Sequence, residues 1–381
     1  MSFFRFPRRL LRLDWTLVLA MLALFIGGLC FIYSASYRAA ELPVSNPLAQ
    51  KQLRFGLIGL AAFLAMALLD YRRLRDLAWP LYLLGVLGLA LVLVPGIGKK
   101  MYGAVRWISL AGMQVQPSEL AKLATILVLA RFLSNPGRDP AHFSYLALAF
   151  VIVLPPVLLI LKEPDLSTAS TLLGVTLIML FAAGVPLRTF VILLCGGGLV
   201  IGALFALLFL KPDWVPHLGY VKERIIVFFD PGRDPLKTGW NAIQSALAVG
   251  SGGLWGKGYL QGTQDVLGYL PRTVSANDFI FPVIAEEVGF VGSSVLLSLY
   301  AVVLFAGVRA AAVAQDKMGR LLAAGLTGLV FCHVFVNIAM TIGLLPIMGI
   351  PLPLVSYGGT FVVGAMAALG LVQSVYVRRR L

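Results

Sequence analysis

Long apolar runs separated by short polar stretches dominate the pattern of this chain. A helix needs roughly 20 residues to cross the hydrocarbon core of a bilayer, and about ten runs approach that length. The pattern therefore predicts an all-α polytopic integral membrane protein with about ten transmembrane helices and both termini on one side. The predicted spans lie at about 15–36, 55–69, 78–94, 118–133, 144–161, 166–183, 189–210, 288–308, 321–345 and 358–377.

Basic residues predict the orientation of these spans. Short cytoplasmic loops carry an excess of Lys and Arg, and the N-terminus, residues 72–75 and residues 378–380 are Arg-rich and fall on one face of the predicted topology. That face is expected to be cytoplasmic. The other face keeps nearly as many basic residues, which suggests an anionic ligand outside. Alternatively, long loops escape the charge rule and pair their cations with local acids.

Composition narrows the classes of function. The chain is 59% hydrophobic and 13% charged, with a net charge of +14, so it has more apolar length than one soluble core could use. Nucleic acid is not an expected partner. The three cysteines lie in apolar runs, and no CxxC or HxxxH spacing is present. Neither a disulfide nor a preassembled metal site is expected, and the sequence requires no cofactor.

The connection over residues 211–281 is far longer than the others, and long connections are usually functional. Trp240, Ile243 and Leu247 recur there at helical spacing, which predicts amphipathic segments in the membrane interface. We treat residues 1–381 as a single transmembrane domain in which this large extracytoplasmic loop, between predicted helices 7 and 8, carries the candidate active site.

Asp278 is the residue around which we build that site. It lies between Asn277 and an apolar run that begins at Phe279, where an acid is costly unless something uses or pairs it. The alternative, which is compatible with a functional role, is that Asp278 caps the next helix, with Pro282 in its first turn.

Other charged residues of the outer face have local explanations beside functional ones. Glu119 and Lys122 lie three residues apart on one helical face, where a pair can neutralise itself, although either could also reach a ligand. Asp165 has N-cap chemistry, with a ligand contact as an additional option. Lys257 lies among glycines that would admit a phosphate. Such turns are more often simple reversals, and without a GxxxxGK[ST] pattern ATP binding is unsupported.

The stretch over residues 343–360 contains three prolines and paired glycines. At membrane depth such a sequence predicts a broken, non-helical backbone, which survives only when it is buried in protein or lines a cavity.

Short motifs are spread along nearly the whole chain. They are GAVRWI (103–108), QPSELAK (116–122), EPDLSTA (163–169), GSGG (250–253), GKG (256–258), NDFIF (277–281), EEVG (286–289), GIPLP (349–353) and SYGG (356–359). Together they resemble the SEDS family of bacterial cell-wall proteins, named for shape, elongation, division and sporulation. The short tails are more like the elongation member than the division member, and Asn277 and Thr360 depart from the residues usual in the family.

The resemblance implies a peptidoglycan glycosyltransferase that polymerises lipid II on the outer face of the cytoplasmic (inner) membrane during elongation and shape maintenance. The transfer would be inverting, with release of undecaprenyl pyrophosphate. The implied partner is a class B penicillin-binding protein transpeptidase, together with other elongation-complex proteins. The resemblance also implies that Asp278 is the catalytic residue.

The chemistry of this transfer suggests roles for the other candidates. Because pyrophosphate leaves as an anion, one base and cations should suffice, which makes Asp278 the general base. A divalent cation at the pyrophosphates is plausible. The candidates for substrate binding are Arg106, Lys257, Glu119, Lys122, Arg224, Asp165 and Ser356.

Two alternatives come from other functional classes. A flippase for lipid-linked precursors would suit ten spans, intramembrane charges and a Pro-broken helix, but it should present a charged path through the midplane. A scaffold for the transpeptidase would suit the large loop, but it leaves Asp278 and the outer cations unexplained.

Overall fold

The computed structural model describes residues 12–36, 47–101, 104–110, 113–211, 219–234, 238–266, 268–270 and 275–379. The Arg-rich N-terminus and parts of the large loop lie outside these ranges. The helices and strands of the described residues are α1 Trp15–Ala35, α2 Pro47–Leu68, α3 Leu74–Val92, β1 Gly98–Met101, β2 Ala104–Leu110, β3 Met113–Val115, α4 Pro117–Leu133, α5 Phe143–Lys162, α6 Leu166–Ala182, α7 Leu187–Leu210, α8 Gly219–Phe229, α9 Thr238–Ser251, α10 Thr263–Val266, α11 Ile280–Ala312, α12 Lys317–Thr341 and α13 Gly359–Val377.

The predicted helical membrane fold is confirmed, and each of the ten apolar runs falls largely on a helix. Among the described residues, eight helices are long and apolar enough to cross a membrane, and α6 is a shorter apolar helix. Helix α4 has 17 residues and carries Glu119 and Lys122. The number of crossings therefore stays a prediction.

The helices differ strongly in how far the bundle buries them. Two-thirds of the apolar stretch of α12 and of α13 is buried, against 6% of that of α7. Close packing at the centre depends on small residues: a Cβ on Gly370 of α13 would lie 2.5 Å from the carbonyl oxygen of Phe63 in α2. Helices α12 and α13 thus form the centre of the bundle, and α7 lies at its edge.

A small antiparallel sheet is the element that the sequence did not predict. Its strands are ordered β1-β2-β3, with Ile108 of β2 opposite Gly98 of β1 and Val115 of β3. The sheet matters for function because β2 carries Arg106.

Helix α11 begins eight residues before the predicted span and is kinked at Gly289, where φ is 64°. The kink frees backbone groups, and the glycine-rich turn after α9 pairs with them. Phe290 N–H donates to the carbonyl of Gly253, and Lys257 N–H donates to that of Glu286, both at 2.9 Å. A Cβ on Gly289 would lie 2.3 Å from the nitrogen of Gly256, so a side chain there would force the turn away.

Candidate active site

Asp278 lies in a turn directly before α11 and does not cap that helix. The N-cap residue of α11 is Phe279, and no side chain caps the helix there. The alternative that Asp278 caps this helix is therefore wrong. The carboxyl is half-buried beside the buried ring of Phe279, so its position needs another explanation.

Long-range hydrogen bonds hold the backbone around Asp278. The side-chain amide of Asn337, in α12, donates to the carbonyls of Asp278 at 2.8 Å and of Ile350 at 2.5 Å. Ser356 donates to the carbonyl of Asn277 at 2.6 Å and accepts from the N–H of Leu352 at 2.7 Å. The turn is therefore fastened both to α12 and to the Pro-broken stretch, which is non-helical as predicted.

The Asp278 carboxylate lies against the backbone of the same broken stretch. A Cβ on Gly349 would be 3.2 Å from Asp278 Oδ2, and Gly349 has a φ of 72°, a conformation that side chains disfavour. Because residue 349 is a glycine, no side chain crowds the Asp278 carboxylate. The hydrogen bonds that hold the turn fix the orientation of this carboxylate before a substrate binds.

Arg106 reaches from β2 to the turn between α5 and α6. Its Nε donates to the carbonyl oxygen of Glu163 at 3.0 Å, and its Nη2 donates to that of Pro164 at 2.5 Å. Its Nη1 is 3.4 Å from Asp165 Oδ2. Three fixed contacts define the plane of the guanidinium, and two of them are to neutral carbonyls.

Asp165 has the capping role that its sequence context predicts. Its Oδ1 accepts from the N–H of Thr168 at 3.0 Å, and its Oδ2 accepts from the Thr168 hydroxyl at 2.9 Å. These bonds make it the N-cap of α6. The same carboxylate is the ionic partner of Arg106, so the cap also ties α6 to the sheet.

Arg224 brings a second guanidinium to the same place from α8. Its Nη1 donates to the carbonyl of Met348 at 3.2 Å, and the guanidinium lies 5.7 Å from the ring centre of Tyr220. Its charge interacts with those of Arg106, Asp165 and Asp278. We call these four residues the Asp278 cluster; they come from β2, the α6 cap, α8 and the turn before α11.

The surroundings of Asp278 suit it to accept a proton. The pKa of its carboxyl is raised to about 6: burial and, to a smaller extent, Asp165 raise it, whereas Arg106 and Arg224 lower it. A carboxylate with such a pKa is a stronger base than an exposed aspartate and is still ionised near pH 7.

Glu163 is a residue of this region that the sequence did not single out. Its side chain is 1% exposed, and neither carboxyl oxygen has a hydrogen-bond partner among the described residues. Its pKa is raised to about 8: burial and, to a smaller extent, Asp165 raise it, and Arg106 lowers it. A neutral acid therefore lies beside Arg106 at pH 7. The signals for it in the sequence were the acidic turn and its place at the start of the EPDLSTA motif (163–169).

Lys257 belongs to a different set of contacts. Its Nζ is 2.5 Å from Glu286 Oε1, and the same oxygen accepts from the N–H of Thr263 at 3.0 Å and from its hydroxyl at 2.7 Å. This arrangement binds the glycine-rich turn to α11. Contact between Lys257 and substrate stays a prediction.

Glu119 and Lys122 form the pair that their spacing predicts, at 3.0 Å and buried. Lys122 Nζ also lies 3.1 Å from His333 Nε2, which the sequence gave no reason to place there. All three line a cavity of about 20 Å³, roughly the space of one water molecule. A substrate contact by this pair, or by the fully buried Ser356, stays a prediction.

A metal site has no preformed ligand set in the described part of the chain. No group of three or more His, Cys, Asp or Glu side chains there could hold a metal ion. The cationic groups of the Asp278 cluster are Arg106 and Arg224.

The comparison with protein families agrees with the motifs and the fold. The model for cell cycle proteins of the FtsW/RodA/SpoVE type matches residues 14–381. This chain belongs to that family. The SEDS resemblance is thereby confirmed, and with it a multi-pass helical membrane protein.

Relatives cover nearly the full length of this FtsW/RodA/SpoVE family member. The peptidoglycan glycosyltransferase MrdB of Escherichia coli K12 is 38% identical over 374 residues, which are 97% of this chain and 95% of the relative. The crystal structure of the rod shape determining protein RodA of Thermus thermophilus is 32% identical, with a TM-score of 0.69, and the match covers 97% of this chain and 98% of that one. A chain from a structure of a peptidoglycan synthase complex, which describes the coordination of polymerization and crosslinking, has a TM-score of 0.77 at 33% identity, covering 96% and 97%.

Proposed function

We propose that this protein is a peptidoglycan glycosyltransferase that polymerises lipid II, in the elongation and shape-maintenance role of its MrdB and RodA relatives. The observation that carries the mechanism is the Asp278 cluster, in which an oriented carboxylate with a raised pKa lies among two guanidinium groups from separate elements. That set matches a reaction that takes one proton from a hydroxyl and releases a pyrophosphate.

The proposed step is an inverting transfer. The 4-hydroxyl oxygen of the acceptor GlcNAc forms a bond to the anomeric carbon of the donor MurNAc, and the bond from that carbon to the pyrophosphate oxygen breaks. Asp278 takes the hydroxyl proton as general base. The electron pair leaves with undecaprenyl pyrophosphate, so no second carboxyl has to protonate the leaving group, unlike in glycoside hydrolysis.

Arg106 and Arg224 are proposed to bind the pyrophosphate. Guanidinium groups bind phosphate oxygens with paired, charge-assisted hydrogen bonds, and donors held in place before the reaction stabilise charge as it develops. The carbonyls of Glu163 and Pro164 hold Arg106 in position without neutralising it. A divalent cation bound by the pyrophosphates themselves would add to this charge, and the loss of activity with EDTA would reveal it.

The proposed location is the cytoplasmic (inner) membrane, with both termini inside and Asp278 facing outside. Gln373, near the C-terminus, bonds the backbone of Asp14 at 3.0 and 2.8 Å. Arg309, at the end of α11 opposite Asp278, bonds the Asp14 side chain. These contacts support two termini on one face and a cluster on the other, and the Arg-rich loops support a cytoplasmic assignment for the first face.

The proposed partner is a class B penicillin-binding protein transpeptidase of the elongation type, in a larger elongation complex. The similarity to a chain of a peptidoglycan synthase complex supports this. Coupling to a transpeptidase is also chemically consistent, because new glycan strands have to be crosslinked.

The flippase alternative fits the structure less well. Its strongest support is the burial of Glu119 and Lys122 in the bundle, but these charges are paired with each other inside one helix. The Asp278 cluster instead draws its charges from four separate segments on one face of the bundle. A transferase needs its charges together at one face, whereas a flippase needs charged groups along a path through the membrane.

The decisive experiment compares glycan products from labelled lipid II for the parent, Asp278→Asn and Asp230→Asn, with the transpeptidase partner and a divalent cation present. Asp230 is an exposed aspartate of the same large loop and controls for the substitution. Loss of the base should lower the rate about 10²–10⁴-fold, with folding and lipid binding retained. Polymer from Asp278→Asn at the parental rate would refute the base, and no polymer from the parent would refute the transferase.

A further inference from the structure

An apolar groove opens beside the Asp278 cluster. It has a volume of about 430 Å³ and lies between α8, α9 and the segment that follows α12, within the range of sites that bind small organic ligands. Its apolar lining includes Val227, Phe228, Ile243, Leu247, Leu345 and Ile347. Apart from backbone groups, Arg224 supplies the charge in this lining.

Arg224 connects the groove to the candidate active site. The residue lines the groove, its Nη1 is bonded to the carbonyl of Met348, and its charge acts on the Asp278 carboxyl together with that of Arg106. A ligand in the groove with an anionic end at Arg224 would therefore bring that end to the cluster.

The groove is built on exposed apolar surface of the amphipathic helices in the large loop. The side chains of Ile243 and Leu247 in α9 are 37% and 52% exposed, and that of Phe229, at the end of α8, is 79% exposed. Contiguous exposed apolar surface of this kind marks a site for a lipid, ligand or partner. The concave shape and the cation at one end distinguish this site from a flat lipid-facing surface.

We propose that this groove binds the polyprenyl chain of the pyrophosphate-linked substrate, with the pyrophosphate at Arg224 and Arg106. The inference rests on the proposed function, because it takes lipid II as the substrate. The complementarity is of two kinds: an apolar chain meets an apolar lining, and the polyanion at its end meets two guanidinium groups. The sugar on the far side of the pyrophosphate is then placed beside Asp278.

The proposal predicts that the chain contributes to affinity separately from the pyrophosphate. Undecaprenyl pyrophosphate should inhibit polymerisation at a much lower concentration than inorganic pyrophosphate, since only the former has a chain that packs against the groove lining. The ratio of the two inhibitory concentrations is the quantity to measure. A change in pyrophosphate binding at Arg106 and Arg224 affects both inhibitors alike and therefore leaves this ratio unchanged.

Two substitutions test the groove. Ala246 lines it and is exposed, so Ala246→Phe should fill the groove without disturbing the core. Leu247→Gln keeps the size and helix propensity of the side chain but makes the lining polar. Ala65→Phe is the matched control, because Ala65 is an exposed alanine of α2 and lies outside the groove lining.

In Ala246→Phe we expect the ratio to fall about tenfold, which corresponds to the loss of roughly one buried apolar group. In Leu247→Gln the ratio should fall by less, and in Ala65→Phe it should be unchanged. Inhibition by inorganic pyrophosphate should stay at the parental value in all three proteins.

An unchanged ratio in Ala246→Phe and Leu247→Gln, with an active parent, would overturn the groove assignment and leave the transferase intact. So would an equal fall in Ala65→Phe, since the chain would then bind to bulk lipid-facing surface. A parent that makes no polymer would instead refute the proposed function, which keeps the two failures distinguishable.

Discussion

Among the regions of the described chain that hold buried charge, the Glu119–Lys122 pair and the Asp278 cluster do so in opposite ways. Glu119 and Lys122 lie on one turn of α4 and neutralise each other at 3.0 Å. The Asp278 cluster brings together two arginines and two aspartates from four separate segments. Of the three contacts that Arg106 makes there, two are with backbone carbonyls. The Glu119–Lys122 pair satisfies its own charges, whereas Arg106 is neutralised only in part, by Asp165, and its two carbonyl contacts leave charge for an anionic ligand.

The largest expected effect is on stability and concerns the Glu119–Lys122 pair. Lys122→Met leaves Glu119 as an uncompensated charge in the bundle, which should lower the free energy of unfolding by about 3–5 kcal/mol. Thermal unfolding of the purified protein in detergent measures this, and Glu119→Gln combined with Lys122→Met should regain most of the loss. A single variant that is as stable as the parent but inactive would instead indicate a ligand contact.

A substitution that keeps the positive charge of Arg106 tests the Asp278 cluster. Arg106→Lys retains one positive charge but cannot contact two carbonyls and a carboxylate at once. We expect kcat/KM to fall about 10–100-fold, the equivalent of one or two charge-assisted hydrogen bonds. Arg233→Lys, at an exposed arginine of the same loop, is the control. Equal activity of both variants would mean that only the charge of Arg106 matters.

The pH dependence should follow Asp278. Its pKa is raised to about 6, and the ionised form is the base, so activity should rise with pH through about 6. Below that value the rate should fall about tenfold per pH unit. Initial rates between pH 5 and 7, with lipid binding measured in parallel, check this. A flat profile over that range would contradict the role of Asp278 as base.

The smallest expected effect concerns Glu163, whose pKa is raised to about 8. Its ionisation above that pH would place a negative charge beside Arg106, so activity of the parent should decline a few-fold from pH 7 to 9. Glu163→Gln resembles the neutral acid and should remove the decline.

Stability offers a second readout of Glu163. A carboxyl whose pKa is raised on folding binds more protons in the folded state, so its contribution to stability decreases as pH rises from the unfolded value towards about 8. Glu163→Gln should lose that slope. Parallel slopes in parent and variant would show that the carboxyl titrates normally.

Local features were predictable from the sequence alone. The apolar runs predict helices because a bilayer demands continuous apolar length. The pairing of Glu119 with Lys122 and the capping by Asp165 follow from the geometry of a single helical turn, which brings residues three apart together wherever the helix lies in the fold. The motifs that resemble the SEDS family identified Asp278 as the candidate base.

Only the tertiary structure decided how the distant pieces meet. Arg106 reaches the turn at Glu163 through a sheet that was not predicted, and Arg224 meets the carbonyl of Met348 across 124 residues of chain. Asp278 does not cap its helix, because bonds from Asn337 and Ser356 hold its turn elsewhere. Such contacts depend on how helices pack and where the backbone breaks, which residue spacing along a chain does not encode.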